Sequence, residues 1–124
     1  MYVERHVLAI TTDGSGDATA YSPTITGRVV SVIYTKDGTT PYTDGVDFAI
    51  TAEATGQAIL TLTNQNSSAA FQPRVGVCGA TGTALTYDGT RTVNEPVTVA
   101  QDRVKVVVAQ GGATKIGTIT LIVG

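Results

Sequence analysis

The chain has 124 residues, which suits one domain able to bury roughly two-thirds of its unfolded surface in a single core. Only 15% of the residues are charged, 42% are hydrophobic and the net charge is -2. The eight Lys and Arg are scattered and Trp is absent, which leaves no basic, aromatic-interleaved footprint for nucleic acid.

Cys78 is the only cysteine, so an intrachain disulfide is excluded and the oxidising-compartment argument for a small secreted domain has no support. The opening Met1-Tyr2-Val3-Glu4-Arg5-His6 lacks a signal-peptide apolar region, and no apolar stretch approaches a membrane span. These features predict folding in a reducing cytoplasm with no membrane partner. A Thr- and Gly-rich exterior poor in charge is less costly to bury against another protein than one covered in Lys and Glu, which points to an assembly subunit.

Apolar residues recur at a period of two in short runs broken by Gly or Asp-Gly, and no window carries a helical stripe. Tyr2 to about Thr12 reads as a first strand. Asp13-Gly14-Ser15-Gly16-Asp17 reads as a turn leading to a short strand near Ala18 to Tyr21, an expected hairpin, with Pro23 breaking it. Ile25 to Thr35 is a long strand with apolar residues on both faces, expected at the centre of a sheet. A loop with turn chemistry at both ends, Asp37 to Gly45, precedes the cleanest alternation of the chain: Val46, Phe48, Ile50 and Ala52, with Asp47, Ala49, Thr51 and Glu53 between them. Thr55-Gly56 and Ala58 to Thr63 complete a second hairpin.

Asn64 to Ala70 reads as a loop or a single helical turn, and Pro73 to Cys78 starts another strand. Gly79 to Thr92 is glycine-rich, with strand character only at Ala84 to Tyr87, and reads as a long arm or exposed loop. Val97 to Ala100 is a short strand, Arg103 to Ala109 a strong one, Gly111-Gly112 a turn and Ile116 to Val123 the last strand. About eight short strands at close intervals predict an all-β, antiparallel β-sandwich of jelly-roll type, one domain over residues 1–124.

Chemistry-bearing residues are few. His6 is the only histidine and shares a strand face with Leu8 and Ile10, so a partly packed structural role fits better than a ligand role. Asp13, Ser15 and Asp17 alternate as in the first part of a calcium loop, but Thr24 stands where the bidentate Glu belongs, and a turn explains the same residues. Asp37, Asp44 and Asp47 are ordinary turn carboxylates without an aromatic platform for sugars. No serine has a nucleophile-elbow context, and Cys78 reads as packing within an apolar strand. Gly79-Ala80-Thr81-Gly82 lacks the Lys-Ser or Lys-Thr of a phosphate loop. No catalytic, metal or cofactor site is expected.

Arg103 and Lys105 fit a solvated strand face that discourages edge pairing, or a dock for an acidic neighbour. Tyr34, Tyr42 and Tyr87 fit core or interface rim. The residues expected at an interface are Tyr42, Asp44, Tyr87, Arg91, Arg103 and Lys105, with the loops Thr35 to Asp44 and Gly79 to Asn94 as reaching elements.

Three stretches read together carry a resemblance. They are Gly27-Arg28-Val29-Val30-Ser31-Val32-Ile33-Tyr34; Asp44-Gly45-Val46-Asp47-Phe48-Ala49-Ile50-Thr51 with Glu53 and Thr55-Gly56; and Arg103-Val104-Lys105-Val106-Val107-Val108-Ala109-Gln110-Gly111-Gly112 with Thr114-Lys115 and Gly117-Thr118. Together they resemble a family of small virion structural proteins of tailed bacteriophages, over nearly the whole chain. The resemblance implies a head-associated, non-enzymatic protein assembled in the host bacterial cytoplasm. A capsid decoration (cement) subunit is the first expectation: a homo-oligomer that contacts the major capsid protein or other virion proteins. A head-tail connector or tail component, and a glycan- or receptor-binding β-sandwich module, are the alternatives.

Overall fold

The computed structural model describes residues 2–124. Its described residues form ten strands: β1 Glu4–Thr11, β2 Ala18–Tyr21, β3 Ile25–Lys36, β4 Asp47–Ala52, β5 Ala58–Leu62, β6 Ala69–Phe71, β7 Arg74–Gly76, β8 Asn94–Asp102, β9 Val104–Ala109 and β10 Ile116–Val123. They build an all-β sandwich of two antiparallel sheets. The larger sheet runs β1-β10-β3-β8-β7, with β6 also on β3, and the smaller runs β2-β9-β4-β5. Without β7 and β8 the orders are β1-β10-β3-β6 and β2-β9-β4-β5, the two interleaved four-stranded sheets of a jelly roll.

The sequence dictates this directly. In β9, Val104, Val106 and Val108 are fully buried while Lys105 and Val107 are half-covered on the opposite face. In β4, Phe48, Ile50 and Ala52 point inward; in β10, Ile119, Leu121 and Val123 do so from the facing sheet. Their side chains merge into one core with Val29 and Val32 of β3 and Val97 and Val99 of β8. At one end of that core the rings of Tyr34, Tyr42 and Phe48 pack together, with centroids 4.9 to 6.2 Å apart.

Several expectations are corrected. β1 and β2 do not form a hairpin: the Asp13–Asp17 turn carries the chain from the larger sheet to the smaller. The segment read as a loop or helical turn after Leu62 ends in strand β6, which pairs Phe71, Ala70 and Ala69 with Val32, Ile33 and Tyr34. The strand expected at Val97 to Ala100 runs from Asn94 to Asp102. Pro96 did not end it, because Pro96 sits where β8 leaves β3 (Val29 opposite Val97) and takes up β7 (Arg74 opposite Pro96).

Arg103 and Lys105 flank or lie in β9, which is interior to its sheet between β2 and β4, so they guard no edge. The loop from Thr35 to Asp44 does not reach outward. Its Thr40 carbonyl accepts from the Ile116 amide (2.9 Å), its Thr43 amide donates to Gly111 (3.0 Å), and its Tyr42 enters the core.

Candidate interaction surface

Tyr42 is 3% exposed, and its hydroxyl donates to the Ile10 carbonyl at 2.6 Å. Its ring lies on Gly117, where any β-carbon would collide with it. Burial pushes its phenol pKa far up. Tyr42 is therefore a core residue that ties β1, β10 and the loop before β4 together, and the expectation of an interface role is overturned. Asp44 is exposed at the turn into β4.

Arg103 is committed within the molecule. Its Nε and Nη2 donate to the two carboxylate oxygens of Glu53 at 2.5 and 2.6 Å, and its guanidinium lies 4.1 Å over the Tyr21 ring. The pair lowers the pKa of Glu53 and raises that of Arg103, through their hydrogen bond first. Asp102 adds to the same corner by accepting from the amides of Ala54 and Arg103. Lys105 lies half-covered between Tyr21 and Thr51 in register.

Tyr87 and Arg91 lie on an ordered projection. After β7 the chain leaves the sandwich and returns at β8, folding the intervening stretch on itself. The Val77 amide donates to Val93, Leu85 to Val77 and Val93 to Leu85, at 2.9 to 3.0 Å. Bridges at Cys78–Ala84 and Thr86–Thr92 flank two tight turns. Glycine supplies the positive φ each turn needs, +82° at Gly82 and +80° at Gly89. Asp88 pins the outer turn: its Oδ1 accepts from the amides of Thr90 (2.9 Å) and Arg91 (2.6 Å), and its Oδ2 lies 3.0 Å from the Arg91 Nε. Those amides hold the Asp88 pKa below the usual carboxylate value.

This arm is exposed along its whole length from Ala80 to Thr92. Leu85 is 45% and Tyr87 65% exposed. Cys78 is exposed on it, which corrects its expected place in a packed strand. The arm thus holds its shape through its own backbone while presenting two large apolar side chains to solvent.

The outer face of the larger sheet is the second feature. The register sets Val7, Thr120, Ile33 and Ala70 in one row across β1, β10, β3 and β6, and Ala9, Thr118 and Thr35 in the next. Neither row holds a charge. Sequence reading did not assemble this face, because its members alternate with core residues on strands far apart in the chain.

His6 shares the inner face of β1 with Leu8 and Ile10, as expected, and its Nε2 lies 3.0 Å from Glu4. Asp13 caps its own turn, its Oδ1 accepting from Ser15 (2.8 Å) and Asp17 (3.1 Å). Asp37 does the same for Thr39 and Thr40. Among the described residues no cavity opens and no three His, Cys, Asp or Glu side chains cluster.

No protein-family model matches this chain, and no curated protein does. A solved crystal structure of FlhE is similar at 12% identity, covering 98% of this chain and 95% of its own, with a TM-score of 0.44.

Proposed function

We propose that this chain is a non-enzymatic structural subunit of a tailed-bacteriophage virion: a capsid decoration protein that stabilises the head through protein–protein contacts. The arm between β7 and β8 carries the reading. A projection that holds its own shape, contributes nothing to the core and exposes Leu85 and Tyr87 gains from those residues only when a neighbour covers them. The two uncharged rows on the outer face of the larger sheet, Val7–Thr120–Ile33–Ala70 and Ala9–Thr118–Thr35, support the same reading, since Thr and aliphatic side chains cost little to desolvate. Jelly rolls recur in viral capsid domains, an analogy of fold alone. In this reading many copies bridge adjacent capsomers, and multivalent attachment compounds modest individual contacts.

The test is binding of the purified protein to heads of its phage that have been stripped of it. Wild type rebinds and raises the temperature at which the heads rupture. The Leu85→Ser, Tyr87→Ser double variant folds normally and rebinds at least about tenfold more weakly, as loss of an interface anchor requires. Virions that contain no copy of the chain would overturn the reading.

A further inference from the structure

The sandwich has several sheet edges, and all but one are blunted. β2 has four residues and is followed by Pro23. β5 has five and pairs across a bulge between Ile50 and Thr51. β6 and β7 have three each, with Pro73 between them. Short strands, prolines and bulges are how folded proteins keep their edges from recruiting another strand.

β1 has none of these. It runs eight residues in unbroken register along β10, from Glu4 opposite Val123 to Thr11 opposite Ile116. It contains no proline or glycine, and its only charges stand at Glu4 and Arg5. Alternate backbone N–H and C=O groups along its free side have no strand partner. Val7 is 57% exposed on the outer face of this strand, and Tyr2 and Val3, just before it, are 79% and 53% exposed. The interior beneath is incompletely sealed, for Leu8 of β1 and Ala18 and Ala20 of β2 are only partly buried.

We propose that β1 pairs antiparallel with β1 of a second copy of this chain, about a two-fold axis through Val7, to make one continuous sheet across a dimer. Charge placement selects the direction in which a second copy pairs. Glu4 and Arg5 lie at one end of the strand, so a parallel copy would set like charges side by side, whereas an antiparallel copy sends them to opposite ends. The pleat then limits the register. A two-fold normal to the sheet must keep outward residues opposite outward residues, so the axis passes through a residue and not between two.

An axis at His6 sets the two histidines face to face, and an axis at Leu8 leaves Glu4 beyond the partner's strand, opposite Thr12. At Val7 the outward residue Val7 meets its own copy and Arg5 meets Ala9, while inside, His6 meets Leu8 and Glu4 meets Ile10. The uncharged row Val7–Thr120–Ile33 then continues unbroken into the second copy. The contact is isologous and closes at two subunits. It stands on strand geometry alone and holds whether or not the chain belongs to a virion.

Sedimentation equilibrium of the full chain over a wide concentration range tests this. Wild type shows a monomer–dimer equilibrium. Val7→Lys and Val7→Glu each raise the dimer dissociation constant at least tenfold while leaving circular dichroism unchanged, and leave the unfolding midpoint unchanged when it is measured at a concentration at which wild type is monomeric. An equimolar mixture of the two variants recovers the dimer, because opposite charges then meet on the axis. In a Cys78→Ser background, Val7→Cys forms an intersubunit disulfide on mild oxidation, since residues paired on the axis have Cα atoms about 4.5–5.5 Å apart. A wild type that stays monomeric, or a dimer indifferent to both charge variants, overturns the proposal. Absence of the chain from virions would sink the decoration reading and leave this one standing.

Discussion

Tyr42 shows how one side chain can look like surface in the sequence and be core in the fold. It stands in a polar loop between Pro41 and Thr43, a setting in which a tyrosine ordinarily sits at the rim. What draws it inside is Gly117, seventy-five positions away and bare of the β-carbon that would block the ring, together with the Ile10 carbonyl that takes its proton donor. Thr12 and Ser22, each just past the end of a strand, are held by partners equally far away in the chain. Both are buried, and their hydroxyls accept from the amides of Lys115 and Val104, each at 2.8 Å. Partners that distant leave no local trace in composition or spacing.

Tyr42→Phe keeps the ring and leaves the Ile10 carbonyl short of a donor, so stability falls by about 1–2 kcal/mol in urea unfolding with the m-value unchanged. Gly117→Ala falls further, because the ring must vacate its seat. The pH dependence of Tyr42 has a definite sign. Burial raises its folded pKa above the ordinary 10.0 and raises that of Tyr34 as well, so both favour the protonated form in the fold. Their contribution is complete below pH 10 and is lost as the unfolded phenols ionise above it. Tyrosinate absorbance from these two rings should rise together with loss of the β-sheet dichroism; ionisation of all five tyrosines with the sheet signal intact would contradict their placement.

At the scale of elements, alternation is a strong guide and connectivity a weak one. β4 and β9 are legible residue by residue because their period-two pattern has no competing reading: Phe48, Ile50 and Ala52, and Val104, Val106 and Val108, all face the core. The β4–β5 hairpin is legible too, since Gly56 adopts φ +73° at its turn. Which sheet a strand joins is not written in its own residues. Asp13 to Asp17 has every mark of a hairpin turn, yet β1 and β2 pair with strands from the far end of the chain.

The arm is recognisable in the sequence as a glycine-rich departure from the strand pattern, and Tyr87 and Arg91 lie on it. Its order was not foreseeable, because that order comes from backbone bonds and from one carboxylate. Asp88→Ala removes the acceptor for the Thr90 and Arg91 amides and the partner of the Arg91 guanidinium. The arm is exposed from Ala80 to Thr92 and adds no residue to the core, so the unfolding midpoint of the sandwich should not move. Hydrogen exchange at residues 85–93 should quicken severalfold while the amides of β9 and β10 stay protected. A drop in global stability would mean that the arm is part of the cooperative unit.

The whole molecule is an arrangement of sequence-distant strands in which β10 lies between β1 and β3 and so joins the first third of the chain to its end. The amides of Arg28 and Gly124 each donate to the other's carbonyl at 2.9 Å, sealing that join. Pairing of this kind makes the fold cooperative, with few parts able to come loose alone. Its acid response follows from which carboxylates hold the joints. Asp13 is lowered by the amides of its own turn, Asp37 by those of Thr39 and Thr40, and Glu53 by Arg103; all three connect one strand of the sandwich to the next.

A carboxylate whose pKa is depressed in the fold adds stability above its unfolded value and loses it as pH falls through the folded one, because the unfolded chain then binds more protons. Stability should therefore stay level from neutrality to about pH 5. It should then decline from the ordinary carboxylate range near 4 downwards, in one transition seen alike by circular dichroism and by the exchange of β10 amides. Asp88 is lowered as well, but it secures only the arm, so its protonation should free residues 85–93 without shifting that transition. Loss of the arm and the sandwich at one and the same pH would show that the two are a single unit, and the arm would then no longer count as a part held in reserve for a neighbour.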